Sequence, residues 1–561
     1  MPIKSRFHAS IPPVDLPTYL FSSPNTSLSE KPLYVSAKDP TINLTQKTYR
    51  LYAQRLALGL QRAGLQSGDR VLLFAPNSIF FPVVLLGTVM AAGIFTGANP
   101  GYVARELAYQ LTDSGATFMI TSRASLDTAL EAAHGANLDP SRVFVMDDDE
   151  GAATFTGDGD DVGKVRHWSS LLAPAEDAAK FSWEKLSGSE LDRTIALNYS
   201  SGTTGRPKGV MITHRNYVSN AEQTIAVAKA DKLYEERNAR ARWLAFVPMY
   251  HAMGQTIFCC AAAKRGIPVY VMKKFDFLGM LECVQRFRIT DLTLVPPVIV
   301  AMAKHPACKS FDLSSVERIG CGAAPLGREV CAELEKLWPD RSVNVKQGWG
   351  MTEATCSVTI FHPETYSDSF SVGEISPNCE AKIVDENGNE VPRGSRGEIW
   401  VRGPIVMKGY WNNPRATQET VTQDGWLRTG DIAYVDKDGL FFIVDRMKEL
   451  IKVKGNQVAP AELEALLLDH EGVADAAVIG VTIDGEEVPR AYIVKTAGIE
   501  TTAEDIHMFM KARVSKTKQL VGGVRFVDAI PKNPSGKITR NVLREQAKKE
   551  VEITEAPRAR L

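Results

Sequence analysis

From residue 45 to about residue 440, short apolar runs alternate with stretches of helical period. Residues 71–75, 118–121, 143–146, 194–197, 243–247, 269–272 and 292–295 read as buried strands. Alternation of this kind predicts layered α/β structure. Residues 382–385, 398–401 and 440–444 lie between turn signals with no helical stretch among them, which predicts a smaller antiparallel β unit closing the large region. After Arg446 the texture changes. A helix over 461–468, strands near 476–481 and 491–495, a helix near 502–512 and a strand at 524–527 predict a compact α+β unit of roughly 110 residues, a normal domain size. The expected division is a large multi-subdomain region over 1–445, a smaller mobile domain over 446–550 and a flexible tail over 551–561.

One apolar stretch raises the question of a membrane span. No charged side chain lies between Arg70 and Arg105, and 79–98 has the length of a span, about 20 residues. Pro76, Asn77, Pro82 and internal glycines interrupt it, so the pattern predicts a buried strand handing over to a buried helix, with no transmembrane segment. The first residues, with Lys4, Arg6 and His8, are not followed by an apolar secretory core, so no export signal is expected.

Composition narrows the function classes. The chain has 561 residues, enough for several domains, and 65 Lys and Arg against 66 Asp and Glu. That balance gives no reason to expect a nucleic-acid partner. The 8 cysteines include no CxxC pair, so neither a zinc site nor a disulfide framework is indicated, and a reducing compartment is expected.

Residues 199–209 read Tyr-Ser-Ser-Gly-Thr-Thr-Gly-Arg-Pro-Lys-Gly. Gly202 and Gly205 permit backbone geometry closed to other residues, so successive N–H groups, with Ser200, Ser201, Thr203 and Thr204, could face an anion. Lys208 adds a mobile positive charge. Such a stretch equally suits a solvated turn. The Walker A loop requires Gly-Lys-Ser/Thr opening a helix, whereas here Pro207 precedes the lysine and 209–212 read as a second strand. The loop therefore belongs to a hairpin, and a kinase-type or GTPase-type fold is not expected.

Further motifs follow in order: Gly320-Cys-Gly-Ala-Ala-Pro-Leu-Gly, Gln347-Gly-Trp-Gly-Met-Thr-Glu-Ala, Gly425-Trp-Leu-Arg-Thr-Gly-Asp, Asp445-Arg-Met-Lys-Glu and Pro534-Ser-Gly-Lys-Ile. With the 199–209 loop, this ordered set resembles the adenylate-forming superfamily of acyl-CoA synthetases, adenylation domains and luciferases, from about residue 40 to 550. The run beginning Val444-Asp-Arg-Met-Lys-Glu-Leu-Ile most closely resembles the 4-coumarate:CoA ligase-like branch.

The resemblance implies an ATP-dependent ligase that couples a carboxylic acid to AMP and then to the thiol of CoA. By that resemblance Ser200, Ser201, Gly202, Thr203, Thr204, Gly205 and Lys208 hold the β- and γ-phosphates, Thr352 contacts the α-phosphate, and Glu353 positions Mg²⁺. Gly322, Ala323 and Ala324 face the adenine, within a nucleotide site completed by Gln347, Gly348 and Trp349. Trp349 stands where family members usually carry tyrosine; it can stack but has no phenol. Asp431 suits the ribose hydroxyls, assisted by Arg446. Lys537 resembles the adenylation lysine, stabilising charge between carboxylate and α-phosphate. Lys448 is the hinge position about which the C-terminal domain rotates between half-reactions. In the second pose Lys454 and Gly455 border the pantetheine tunnel, while Lys452 and Gln457 act near the nucleotide and catalytic centre. His251 matches a gate beside the acyl pocket.

The acyl pocket departs from true coumarate ligases. Met253 and Thr256 replace the tyrosine and asparagine that help recognise a hydroxylated ring, Gly320 stands for lysine, and Cys356-Ser357 replaces Pro-Val. A roomier or more apolar acid is expected, of medium-chain, fatty or aryl type. Other acceptors remain open, including amino-acid adenylation and luciferase-like oxidation, as does a non-catalytic nucleotide-binding relative. The terminal Ala559-Arg560-Leu561 resembles the peroxisomal Ser-Lys-Leu address, which would bring in an import receptor; an ordinary tail is the other reading.

Overall fold

The computed structural model describes residues 2–23, 26–147, 155, 159–200, 206–324, 326–340, 342–453, 456–483, 486–533 and 536–555. Ser201, Gly202, Thr203, Thr204, Gly205, Lys454, Gly455, Ala559, Arg560 and Leu561 lie outside these residues.

Two large sheets carry the first 350 or so residues. The first has eight strands, in the order Gly409–Tyr410, Lys208–Thr213, Thr194–Ser200, Ile94–Gly97, Arg70–Phe74, Ala116–Ser122, Val143–Met146 and Arg166–His167. It is parallel from Thr194–Ser200 to its far edge and antiparallel at the hairpin end. The second has seven strands, running from Val345–Gln347 through Arg318–Cys321, Asp291–Leu294, Trp243–Ala245, Val269–Val271 and Pro32–Ser36 to Asn43–Thr45. Only its last pairing is antiparallel.

Buried helices cover these sheets. All ten residues of helix Phe81–Met90 are buried, which explains why its sequence shows no polar stripe. It lies so close to helix Gln46–Arg62 that a Cβ on Gly87 would come within 2.9 Å of Leu56 Cδ2 and 3.0 Å of the Ala53 carbonyl oxygen. No described helix is long and apolar enough to cross a membrane.

A five-stranded antiparallel sheet, with Glu380–Val384, Gly397–Arg402, Leu427–Val435 and Phe441–Arg446 at its centre and far edge, has its own apolar core. The chain then passes through hairpin Ile451–Val453 and Asn456–Val458 into helix Pro460–Leu468 and a three-stranded sheet of Val473–Ile483, Glu486–Lys495 and Val524–Phe526. This last unit again has a separate core. Its final helix, Arg540–Glu555, runs past the residue 550 at which the pattern suggests a tail.

One segment departs from its periodic reading. Gln255–Ala262 is a π-helix, in which the backbone bonds span one residue more than in an α-helix. Seven of its eight residues are buried, so its side chains carry no polar period from which the wider turn could be read.

Candidate active site

The two ends of the 199–209 stretch belong to an antiparallel strand pair: Thr194–Ser200 pairs with Lys208–Thr213, and Ser200 stands opposite Lys208. Its stem is pinned from outside, because Tyr109 donates to the Pro207 carbonyl at 2.8 Å and Tyr199 donates to Asp113 Oδ2 at 2.6 Å. A Cβ on Gly209 would sit 3.3 Å from both Trp411 Cβ and the Tyr199 ring, so the stem needs the smallest residue there.

Opposite Ser200 lies Glu353, in the short 3₁₀ helix Thr352–Ala354 that Thr352 opens. The Ser200 hydroxyl and the Tyr410 phenol both donate to Glu353 Oε1 at 2.9 Å. Burial and this carboxylate push the Tyr410 phenol well above its ordinary pKa. Lys208 Nζ lies 4.1 Å from the centre of the Tyr410 ring, a cation over an aromatic face. Glu353 Oε2 makes no hydrogen bond among the described residues, which leaves an acidic oxygen beside this hairpin of the kind a hard cation takes. The donor set fits Mg²⁺.

The second part of the site is a cavity of about 780 Å³ between the large region and the C-terminal domain. Strands Arg318–Cys321 and Val345–Gln347 run parallel and end at its rim, where open α/β sheets bind ligands. Ala323 and Ala324 line it, and Ala323 has a left-handed backbone, φ 80°. Gln347 fixes this turn by donating to the Leu326 carbonyl at 3.0 Å and accepting from the Leu326 N–H at 3.2 Å. Gly322 lies behind the wall, where a Cβ would be 3.7 Å from Met253 Sδ and from the Gly348 carbonyl oxygen.

Trp349 Nε1 donates to Asp431 Oδ2 at 2.8 Å, and Arg446 Nε lies 3.5 Å from Asp431 Oδ1. The indole therefore supplies a donor of its own in place of the absent phenol. Burial raises the Asp431 carboxyl, opposed by Arg446, Trp349 and Lys537. Asp431 and Arg446 face each other across the same strand pair, so the sheet sets their spacing.

Lys537 enters the cavity from the C-terminal domain. Its turn bends at Gly536, φ 80°, whose Cβ would meet Pro297 Cδ at 3.3 Å. Burial pushes the ammonium below its ordinary pKa, aided by Arg446 and opposed by Asp431 and Glu353. Among the described residues that ammonium makes no hydrogen bond or ion pair. His251 shares the vicinity: burial and the Lys537 charge push its imidazole down to about 4, so it is neutral at physiological pH. Its Nε2 is buried without a partner among the described residues.

The predicted acyl-pocket residues are not part of that cavity's lining. Gly320 is exposed in the middle of its strand, and a Cβ there would meet nothing within 4 Å. Burial raises the Cys356 thiol to about 11 against the hydroxyls of Ser357 and Thr256, which places those three side chains together. Ser357 is held from below by Asn220, which accepts from its N–H at 3.1 Å and donates to its carbonyl at 2.8 Å.

Lys452 and Gln457 are not brought to the cavity. They face each other across the hairpin and are exposed, and Lys448 lies exposed just before it. The structure thus presents the Lys537 face of the C-terminal domain to the cleft and the Lys452 face to solvent.

Several residues escape sequence reading. Tyr410 completes the Glu353 site from a two-residue strand, and only its pairing with Val210 and Met211 brings it there. Beneath His251, Gln255 Nε2 donates to the Tyr250 carbonyl at 3.1 Å while its Oε1 accepts from the Tyr217 phenol, and Asn198 donates to that phenol at 3.2 Å. This buried chain of side chains seats the start of the π-helix. In the C-terminal domain Arg540 makes a two-pronged pair with Glu464, both contacts 2.7 Å. No motif spacing signals any of these.

The family profile described as AMP-binding enzyme matches residues 25–411, and that of the AMP-binding enzyme C-terminal domain matches 462–537. A 4-coumarate–CoA ligase of Petroselinum crispum is 37% identical over 551 residues, 96% of each chain. A phenylacetyl-CoA ligase of Aspergillus niger is 36% identical over 547 residues, 96% of this chain and 97% of that one. Among solved structures, ATP-bound MatB from Rhodopseudomonas palustris matches with a TM-score of 0.78 at 27% identity, over 96% of this chain and 99% of that one. The anthranilate CoA ligase AuaEII shares the fold with a TM-score of 0.84 at 22% identity, over 96% and 99% of the two chains. With two profiles, full-length relatives and the fold in agreement, the chain belongs to the AMP-binding enzyme family, in its 4-coumarate:CoA ligase-like branch, and is an ATP-dependent, adenylate-forming acid–thiol ligase.

Proposed function

We propose that this chain converts a medium-chain, fatty or aryl carboxylic acid into its CoA thioester in two steps at one cleft. The carrying observation is the Lys537 ammonium, placed in the interdomain cavity beside Asp431, Glu353 and His251 and without a protein partner of its own among the described residues. A cation held there with no protein partner among the described residues is poised for an anion supplied by substrate.

In the first step a carboxylate oxygen attacks the α-phosphorus of ATP, and the bond to the pyrophosphate oxygen breaks. Lys537 stabilises negative charge shared between the carboxylate and the α-phosphate, Asp431 with Arg446 holds the ribose, and Trp349 and Ala323–Ala324 take the adenine. Ser200 and Lys208, with the loop between them, take the departing pyrophosphate. Glu353 is the residue that would hold Mg²⁺, which when bound neutralises charge on the phosphates. In the second step the CoA thiol attacks the acyl carbonyl, AMP leaves and a proton is released. Lys452 and Gln457, with Lys454 and Gly455, serve this step after rotation about Lys448.

The acid class rests on the open space before Gly320 and on the Met253, Thr256 and Cys356 wall. A relative named for phenylacetate accords with an aryl acid. Mass spectrometry of products from ATP, Mg²⁺, CoA and a mixed acid library tests this: aliphatic or simple aryl thioesters are expected, and a strong preference for coumarate would overturn the acid assignment. Peroxisomal import through Ala559-Arg560-Leu561 belongs to the same proposal. A fluorescent fusion keeping these residues should be punctate with a matrix marker, and a diffuse signal would refute it.

A further inference from the structure

Helix Pro296–Lys304 of the large region touches the C-terminal domain at both ends. At its start, Pro297 packs against the Gly536 turn that delivers Lys537. At its end, Lys304 Nζ donates to the carbonyl oxygens of Val473 at 2.8 Å and Leu468 at 3.2 Å. Leu468 is the last residue of helix Pro460–Leu468, and the last four carbonyls of a helix lack partners within it. An ammonium at that end satisfies such a carbonyl and meets the negative pole of the helix. One helix of the large region therefore contacts both the lysine turn and the far end of the domain that carries it.

The rest of this junction is not strongly attractive. The Asp469 carboxylate of the C-terminal domain faces Glu329 of helix Arg328–Glu335, two like charges, with Lys304 and Arg513 opposing their repulsion. Asp475, the other carboxylate near Lys304, is already paired with Lys532 at 2.6 Å. Gly327 and Ala465 meet only through van der Waals contact, a Cβ on Gly327 lying 3.6 Å from Ala465 Cβ. Among the described residues, the hydrogen bonds across this edge are those of Lys304.

We propose that Lys304 is a positioning residue, an interdomain latch that holds the C-terminal domain in the pose with Lys537 in the cleft. Its acceptors are backbone carbonyls that move with the other domain, so turning the exposed Lys452–Gln457 hairpin toward the cleft breaks both bonds. The latch favours adenylation and opposes the thioester step. The proposal rests on the two-step reading above, and it assigns to Lys304 a role in the balance between the steps, without contact to substrate.

The test uses the full chain with Lys304→Ala and Lys304→Arg. Adenylation is followed as pyrophosphate release with phenylacetate or octanoate in the absence of CoA, and thioester formation from the matching synthetic acyl-AMP with CoA. Lys304→Ala should lower adenylation about tenfold, the size expected when a charged donor loses its acceptors, and leave the thioester step unchanged or faster. Lys304→Arg should restore most of the loss. A second readout needs no activity. Cysteines placed by Gly327→Cys and Ala465→Cys lie within disulfide range in this pose, since Cβ atoms 3.6 Å apart are bridgeable, and the native cysteines are all buried. Lys304→Ala should slow their crosslinking several-fold under mild oxidation. Equal loss of both half-reactions, or crosslinking at the same rate with and without Lys304, overturns the latch. If the Gly327→Cys, Ala465→Cys chain that keeps Lys304 crosslinks while the wild-type chain makes no acyl-AMP, the functional reading fails instead, and the crosslinking rates still judge the latch.

Discussion

Replacing Lys537 with alanine should separate catalysis from folding. The ammonium sits where burial disfavours its charge, and Asp431 and Glu353 only partly offset this. It makes no hydrogen bond or ion pair among the described residues, and Asp431 keeps Trp349 at 2.8 Å and Arg446 at 3.5 Å without it. Removing it relieves desolvation and leaves no new unpaired carboxylate, so the melting temperature should move by no more than about 2 °C. The transition state loses a preorganised cation at the point where charge develops. One such donor is worth roughly 2.7–4 kcal/mol, or about a hundredfold to a thousandfold in rate. Pyrophosphate release without CoA should fall by that factor. Thioester formation from synthetic acyl-AMP should stay within about threefold of wild type, because that step uses the other face of the domain. Equal loss in both assays, or adenylation reduced less than about fivefold, would refute the reasoning.

Three further outcomes are expected. Trp349→Phe keeps an aromatic face but removes the donor to Asp431, and a hydrogen bond to a charged group is worth roughly 1.5–3 kcal/mol; the KM for ATP should rise at least tenfold, and an unchanged KM would count against the ribose site. Gly320→Leu fills open space without a steric conflict at Cβ, so the protein should fold normally while the preferred acid in a chain-length series becomes shorter; no change in the series would remove Gly320 from the pocket. The Asp469 carboxyl is pushed up from 3.8 to about 6 by burial and by Glu329, against Lys304 and Arg513. The Glu329 share of that rise exists only while the two domains meet, so the pose with Lys537 in the cleft binds this proton more tightly: it is most favoured below about pH 4 and loses that advantage as pH rises through about 6. Small-angle scattering should show opening over this range in the wild type and a flat response in Asp469→Asn.

The sequence carries the fold well where its strands are fully buried. Runs such as 71–75 and 143–146 have no polar alternation and match parallel strands within a residue. The apolar 79–98 stretch resolves correctly because proline and asparagine break it before helix Phe81–Met90. Site residues inside ordered motifs, Asp431, Arg446 and Lys537, do converge on one cavity. What the sequence cannot show is the contact between motifs. Trp349 and Asp431 are 82 positions apart, and their bond exists only because the small β unit packs against the rim of the second sheet. Tyr410 meets Glu353 through a two-residue strand with no signal of its own. Lys304 reads as an ordinary helix-end lysine until the other domain is placed against it.

Adenylate-forming chemistry activates the acid as a mixed anhydride with AMP. It is tested most directly by giving the enzyme an acid whose carboxylate carries heavy oxygen, with ATP, Mg²⁺ and CoA, and weighing the products. Attack of the carboxylate on the α-phosphorus leaves one labelled oxygen on AMP after the thiol displaces it, with unlabelled pyrophosphate. Label in inorganic phosphate or pyrophosphate, or thioester formed with unlabelled AMP, would contradict the account.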